Sequence, residues 1–158
     1  MDGAFDAYIS NSALAKAEKA VVRAANEGKE AMGLLVGDVL KWKGFEYVLV
    51  ENFITAKNDS SAVSVRFSRD AFTELSRAYS GHFRDGKMIV GWLHSHPSYG
   101  CWLSATDVGT QNRFFTEPHS IAMVLDPMRE EGRRMQGRVF RVAGNAYYEI
   151  SFAVIDKK

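Results

Sequence analysis

Apolar residues recur along the chain at intervals typical of helices and strands in alternation. In the Ala-rich residues 12–26, Leu14, Ala17 and Val21 fall on one helical face, which predicts a helix. Gly28 is expected to end this helix, because glycine is common just past the last helical residue.

Short apolar or alternating stretches separate the helices and predict strands. The first apolar run is followed by a turn at residues 41–44 and a second run, as expected for a hairpin. The polar stretch 126–137 predicts a loop, and Gly144 with Asn145 predicts the turn of a terminal hairpin. The predicted strands cover residues 32–39, 45–54, 63–67, 87–94, 120–125, 138–142 and 147–152.

Two further helices are predicted from their starting residues. Ser68 can cap a helix that runs to about Tyr79, with Asp70 in its first turn. A third helix begins at Ser104 and runs to about Phe115. Because helices and strands are interspersed, we expect an α/β or α+β class with one mixed sheet.

Length and composition narrow the class of protein. The chain has 158 residues, of which 46% are hydrophobic and 25% charged, and its formal net charge is +1. These values are typical of one globular domain, and we expect a single domain over residues 1–158. The balanced charge does not favour a nucleic-acid or membrane partner, so we expect neither.

Cysteine usage and the chain's N-terminal residues indicate a compartment. Cys101 is the only cysteine, which excludes an intramolecular disulfide and a Cys-rich zinc finger. The N-terminus is acidic and lacks the features of a secretory signal, and no apolar run approaches the roughly 20 residues of a membrane span. We therefore expect a soluble, cytoplasmic protein.

Residues suited to catalysis are concentrated between positions 94 and 107. His94 and His96 stand two residues apart at the end of an apolar predicted strand, so both imidazoles face the same side. Pro97 ends the strand, and the chain returns into a helix with Asp107 in its first turn. Two histidines and one carboxylate suit Zn²⁺, and three protein ligands leave one position open, as in catalytic sites.

Each of these residues alone has a structural explanation. His94 and His96 fit a half-buried strand face, and Ser104 followed by Asp107 three residues later fits a capping box. The joint pattern of His-x-His-Pro followed by Ser104 and Asp107 at fixed spacing favours a functional site.

This string resembles the signature of the JAMM (MPN+) metalloprotease family. It is most similar to the deubiquitinating subunit of the proteasome lid and the deneddylating subunit of the signalosome. Those relatives share the run at residues 99–104 and the Thr110-Gln111 pair. The Glu30-Ala31-Met32-Gly33 string matches the family's other signature, and the resemblance extends from about residue 15 to the final hairpin.

The resemblance implies an MPN domain with a mixed, mostly antiparallel central sheet flanked by helices. It implies one zinc ion per chain, bound by His94, His96 and Asp107. Glu30 would be the general base that takes a proton from water and passes it to the leaving amine, and Ser104 would stabilise the oxyanion. Spacing alone does not select Glu30 among the 19 acidic residues.

The implied activity is that of an isopeptidase that removes ubiquitin or a ubiquitin-like modifier from a lysine side chain. The implied partners are such conjugates, together with the proteasome or another MPN subunit. Two alternatives stay open: a peptidase acting on another small modifier or a sulfur-carrier protein, and a non-catalytic MPN scaffold. Zinc content separates the scaffold from the enzymes, and a substrate panel separates the two enzymes.

Other residues near the motif are expected to have structural roles. Cys101 is expected to pack within the loop rather than bind metal or act as a nucleophile, and Trp102 to pack beside it. We expect structural roles for His82 and His119 as well. Residues 63–67 could pair with a modifier's tail by strand addition, although a core or edge strand explains them equally well.

The chain departs from these relatives at two points. Ser98 stands where they carry Gly, which concerns loop geometry and not the ligands. The sequence ends at Lys158, without the C-terminal helices that dock the relatives into assemblies. We therefore expect a compact, stand-alone protease that resembles prokaryotic, including archaeal, members of the family.

Overall fold

A computed structural model of the chain describes residues 4–55 and 69–156, except for the side chains of residues 69–72 and 83. Within these residues the chain forms eight strands and three helices. The strands are β1 (Ala7–Ser10), β2 (Met32–Trp42), β3 (Phe45–Thr55), β4 (Met88–Ser95), β5 (Ile121–Glu131), β6 (Arg134–Ala143), β7 (Ala146–Ile150) and β8 (Phe152–Ile155). The helices are α1 (Asn11–Asn26), α2 (Arg69–Arg84) and α3 (Ala105–Phe114).

The strands pair into one mixed sheet in the order β7-β6-β5-β4-β2-β3-β1-β8. Among the described residues, β4 and β5, β1 and β3, and β1 and β8 are parallel, and the other four neighbouring pairs are antiparallel. This arrangement confirms the expected mixed sheet flanked by helices, with antiparallel pairs in the majority.

Helix α1 covers one face of the sheet. Ser10 ends β1 and caps the helix, because its Oγ accepts a hydrogen bond from the Ala13 N–H at 3.2 Å. The helix then buries Leu14 and Val21 against the sheet. Gly28, at φ +69°, follows the helix in the left-handed conformation that glycine adopts without strain, which confirms the predicted end.

The opposite face of the sheet is covered by α2 and α3. Successive residues of a strand point to opposite faces, so on β4 Leu93 packs on the α1 side while Trp92 packs on the other side. Leu75 of α2 and Val108 of α3 pack into the same cluster as Trp92. With both faces covered, β4 is buried over most of its length, as its continuous apolar run predicts.

The prediction of a loop over residues 126–137 is wrong. These residues form the outer part of a β5–β6 hairpin, whose pairing continues past a bulge to Glu131 opposite Arg134. The outer part of the hairpin is exposed, so its residues are polar and lack the alternation that marks a half-buried strand.

Element ends also differ from the predictions. Helix α2 continues past Tyr79 to Arg84. The predicted last strand, 147–152, divides at Ser151 into β7 and β8, which lie at opposite edges of the sheet. At this division the Ser151 N–H and hydroxyl both donate to the Asp6 carboxylate, at 3.0 and 2.7 Å.

Two predictions lie outside the described residues: the strand over 63–67 and the Ser68 cap. None of the helices in the described part of the chain combines the length and the apolar character that crossing a membrane requires.

Candidate metal centre and active site

The two histidines of the motif lie at the end of β4, between β2 and β5. His94 has no exposed surface. His96 follows the last residue of β4, but its N–H still donates to the Leu125 carbonyl at 2.9 Å. The ladder to β5 thus continues past the end of the strand and keeps both imidazoles on one face. Their Nε2 atoms are 3.0 Å apart.

Asp107 reaches the histidines from the first turn of α3. The Ser104 Oγ accepts from the Asp107 N–H at 3.2 Å, and the Ser104 N–H donates to Asp107 Oδ2 at 2.7 Å, which completes a capping box. The Ser104 hydroxyl also donates to this Oδ2 at 2.8 Å. The cap therefore holds the carboxylate 3.3 Å from His94 Nε2 and 3.5 Å from His96 Nε2.

The three side chains fit a tetrahedral zinc ion. Two ligands about 2.0–2.1 Å from zinc at tetrahedral angles lie about 3.3–3.4 Å apart. The two Nε2 atoms are 3.0 Å apart, His94 Nε2 lies 3.3 Å from Asp107 Oδ1, and His96 Nε2 lies 3.5 Å from Asp107 Oδ2, so each contact is close to this spacing. None of the three residues is more than 6% exposed. Two imidazole nitrogens and a carboxylate oxygen also form a donor set that zinc accepts.

Burial and the contacts among the three side chains shift their pKa values in opposite directions. Burial by itself raises the pKa of Asp107, but hydrogen bonds from His94 and His96 outweigh it and hold this pKa well below its usual range. Burial lowers the pKa of His94 more than Asp107 raises it. At His96, burial also lowers the pKa, but Asp107 and the charge of Glu30 outweigh it, so the pKa is raised. His94 is therefore the imidazole that the environment keeps neutral.

Glu30 enters the site from the segment that precedes β2. Its side chain is buried, and its charge acts on His96. The next residue, Ala31, is tied to the end of β4, since its N–H donates to Ser95 Oγ at 2.8 Å and its carbonyl accepts from the Ser95 N–H at 3.1 Å. Because Ser95 stands between the two histidines, these bonds fix Glu30 close to them.

Further residues orient each imidazole. Trp92 stacks on His94 with ring centroids 4.5 Å apart and planes 10° from parallel, and its indole N–H donates to Gln111 Oε1 at 2.6 Å. His96 Nδ1 lies 3.2 Å from the Gly100 carbonyl oxygen. A proton on Nδ1 satisfies that carbonyl and leaves the Nε2 lone pair of His96 available to a metal.

Comparison with known proteins identifies the family of this chain. The family model described as JAB1/Mov34/MPN/PAD-1 ubiquitin protease matches residues 5–117. The chain belongs to this family.

Relatives with this MPN domain are found among subunits of large assemblies. The chain is 34% identical to COP9 signalosome complex subunit 5 of Debaryomyces hansenii, over 84% of this chain and 27% of the relative. It is 33% identical to the 26S proteasome regulatory subunit RPN11 of Eremothecium gossypii, over 88% of this chain and 43% of the relative. The chain thus spans less than half the length of these two curated relatives.

A solved structure shows the same fold. The solution structure of a Desulfitobacterium hafniense protein matches with a TM-score of 0.69 over 96% of this chain and 94% of that chain. The two sequences are 19% identical, so the likeness concerns the fold alone.

The MPN fold brings all the predicted site residues into one region, while their roles stay predictions. These residues are Glu30, His94, His96, Ser104 and Asp107. Cys101 lies outside the cluster, half-buried, with its Sγ 3.5 Å from the Gln136 carbonyl oxygen. Burial, aided by the charge of Asp126, raises the pKa of its thiol to about 11.

The remaining residues that the sequence singled out are not among the three residues that could bind a metal. Trp102 packs 5.4 Å from His96 between ring centroids, and its indole N–H donates to the Tyr99 carbonyl at 3.0 Å. His82 Nε2 lies 3.1 Å from Asn52 Nδ2, and His119 is partly exposed.

Asp126 is a polar residue of the site region that the sequence pattern does not reveal. It begins the polar stretch that predicts a loop, yet it has no exposed surface. The available signal is its position directly after the apolar run 121–125 and before Pro127. Asp126 is the last residue of the buried part of β5, and a carboxylate there needs several hydrogen-bond donors.

Proposed function

We propose that this protein is a zinc-dependent isopeptidase that hydrolyses the bond between the C-terminus of ubiquitin or a ubiquitin-like modifier and a substrate lysine. The observation that carries the proposal is the buried cluster of His94, His96 and Asp107, whose spacing suits zinc, with Glu30 close to it. The family's description as a ubiquitin protease supports the choice of substrate class.

His94, His96 and Asp107 would bind the zinc ion. When bound, zinc polarises a carbonyl oxygen and makes water a usable nucleophile near neutral pH. Burial favours the neutral form of His94, which is the form of imidazole that binds a metal. The contact between His96 Nδ1 and the Gly100 carbonyl orients the ring so that Nε2 faces His94 and Asp107.

Glu30 would transfer the protons of the reaction. A buried carboxylate near His96 can take a proton from the attacking water and return it to the lysine ε-amino group as that group leaves. Glutamine has nearly the same shape but cannot take up the proton, so Glu30→Gln separates proton transfer from packing.

Ser104 would stabilise the oxyanion that forms at the scissile carbonyl. Its hydroxyl donates to Asp107 Oδ2 in the free protein, so the hydroxyl must turn towards the oxyanion as charge develops. The Ser104 N–H holds the same Oδ2 at 2.7 Å, so Asp107 keeps its place while the hydroxyl turns.

The relatives' names extend the proposal to partners. Those relatives are named as subunits of the COP9 signalosome and the 26S proteasome. We propose ubiquitin-like conjugates as the substrates of this chain, and the proteasome or another MPN subunit as a further partner.

A substrate panel tests the proposal. Zinc-loaded protein is incubated with isopeptide-linked ubiquitin chains, with lysine conjugates of other ubiquitin-like modifiers, and with a sulfur-carrier protein bearing a C-terminal peptide. We expect cleavage of at least one lysine conjugate, its loss on chelation, and its recovery when zinc is restored. Cleavage of the sulfur-carrier adduct alone would assign the alternative peptidase activity, and a chain that binds no zinc and cleaves nothing would be a scaffold.

A further inference from the structure

Asp126 is a fully buried carboxylate next to the loop that follows β4. Its Oδ1 accepts from the N–H groups of Ser98 and Met128, both at 2.9 Å, and its Oδ2 accepts from the Gly100 N–H at 2.8 Å. Arg129 Nε lies 3.3 Å from Oδ2. These donors offset the cost of removing the carboxylate from water.

The loop after His96 takes an unusual backbone course that Asp126 secures. Ser98 and Gly100 both adopt left-handed conformations, at φ +69° and +79°. A serine in this region is strained and persists when surrounding contacts fix it. Asp126 provides those contacts, because its carboxylate accepts hydrogen bonds from the N–H groups of both left-handed residues.

Gly100 connects this carboxylate to the metal cluster. Its N–H is bonded to Asp126 Oδ2, and its carbonyl oxygen lies 3.2 Å from His96 Nδ1. The carbonyl that can accept a hydrogen bond from His96 Nδ1 therefore belongs to a residue whose N–H is held by Asp126. When the proton is on Nδ1, His96 Nε2 carries a lone pair on the side that faces His94 and Asp107, where it can bind a metal.

We propose that Asp126 is a positioning residue for the metal centre: by fixing Gly100 it orients the His96 ring and selects the tautomer that binds zinc through Nε2. The inference rests on the proposed function, because it requires His96 to be a zinc ligand. Asp126 acts here through the loop backbone.

The variant Asp126→Asn tests this role with a small change in shape. An Asn side chain that keeps its oxygen towards Ser98 and Met128 must turn its NH₂ towards the Gly100 N–H, where two donors then face each other. We expect zinc to bind 10- to 100-fold more weakly than to wild type, the usual loss when a residue that orients a metal ligand is changed. The measurement is competition with a chelator of known affinity at fixed pH, with the folded state checked by circular dichroism.

Val50→Ala is the matched control for a general loss of stability. Val50 is fully buried in β3 on the α1 side of the sheet, away from the loop. The control should unfold at lower denaturant concentration yet bind zinc as wild type does. A loss of less than tenfold in the affinity of Asp126→Asn overturns the inference, as does an equal loss in Val50→Ala.

A second measurement keeps the inference testable if Asp126→Asn does not fold. A long-range ¹⁵N–¹H spectrum of zinc-loaded wild type shows which nitrogen of His96 carries the proton: Nδ1 supports the inference and Nε2 overturns it. Wild type that binds no zinc would overturn the proposed function and this inference together, whereas wild-type affinity in Asp126→Asn overturns this inference alone.

Discussion

Different contacts orient the two histidines of the cluster. The Nδ1 atom of His94 is buried and has no hydrogen-bond partner among the described residues, and the ring is instead held by stacking on Trp92. His96 has the Gly100 carbonyl as its Nδ1 partner. The spacing of the pair in the sequence predicts that both rings share a face, but it carries no information about either support.

The loop between β4 and α3 also contains Cys101, whose thiol is kept neutral by its surroundings. Burial, with the charge of Asp126, raises the pKa of Cys101 from its usual value of 9.0 to about 11. The thiolate is the reactive form, so a raised pKa lowers reactivity at every pH below about 11.

We predict that Cys101 is alkylated slowly at neutral pH. At pH 7.5 its thiolate fraction should be about 100-fold lower than that of an ordinary thiol, and the iodoacetamide rate should rise about tenfold per pH unit towards pH 11. Mass spectrometry of timed samples measures the rate. Rapid alkylation at pH 7.5 that also abolishes zinc binding would show that Cys101 belongs to the metal site.

The first turn of α3 combines a structural and a proposed catalytic task. Ser104 caps the helix and, through its N–H and hydroxyl, also holds Asp107 against the histidines. The capping box that the sequence offered as an alternative explanation is thus the device that places the carboxylate. The structural and functional interpretations describe the same contacts.

We predict that Ser104→Ala weakens both tasks, while Ser104→Gly separates them. Loss of the cap should lower the free energy of unfolding by about 0.5–2 kcal/mol, and loss of the oxyanion donor should reduce kcat on the order of 10²–10³-fold. Glycine at the N-cap costs only about a few tenths of a kcal/mol and carries no hydroxyl, so Ser104→Gly should recover most of the stability but not the activity. Denaturant unfolding and conjugate cleavage are the two measurements, and full activity in either variant would contradict the role of the hydroxyl.

The elements that could be predicted are those whose burial imposes a period on the sequence. Helix α1 and strand β4 are packed on the core, and their apolar residues indicate this directly. The outer β5–β6 hairpin is exposed, so nothing in its polar sequence marks it as strand. Strands β1 and β8 have four residues each, and their identity depends on pairing with each other and with β3.

In the whole molecule, the candidate site lies in the middle of the sheet, where the central strand β4 ends. Strands β4 and β5 are parallel, so the loop after His96 and Asp126 emerge together. Strand β2 is antiparallel to β4, so its beginning, with Glu30 just before it, lies beside the end of β4. Sequence patterns do not reveal which strands are neighbours, and Glu30 could therefore be selected only from the family signature.

The proposed zinc-dependent hydrolysis is tested by comparing wild type with Glu30→Gln for bound zinc and for cleavage of the lysine conjugate that the substrate panel identifies. Glutamine leaves His94, His96 and Asp107 in place but cannot take up a proton. We predict one zinc ion in each protein and a rate lower by about 10²–10⁴-fold in Glu30→Gln, the usual contribution of a general base. Cleavage by Glu30→Gln at the wild-type rate would contradict the proposal.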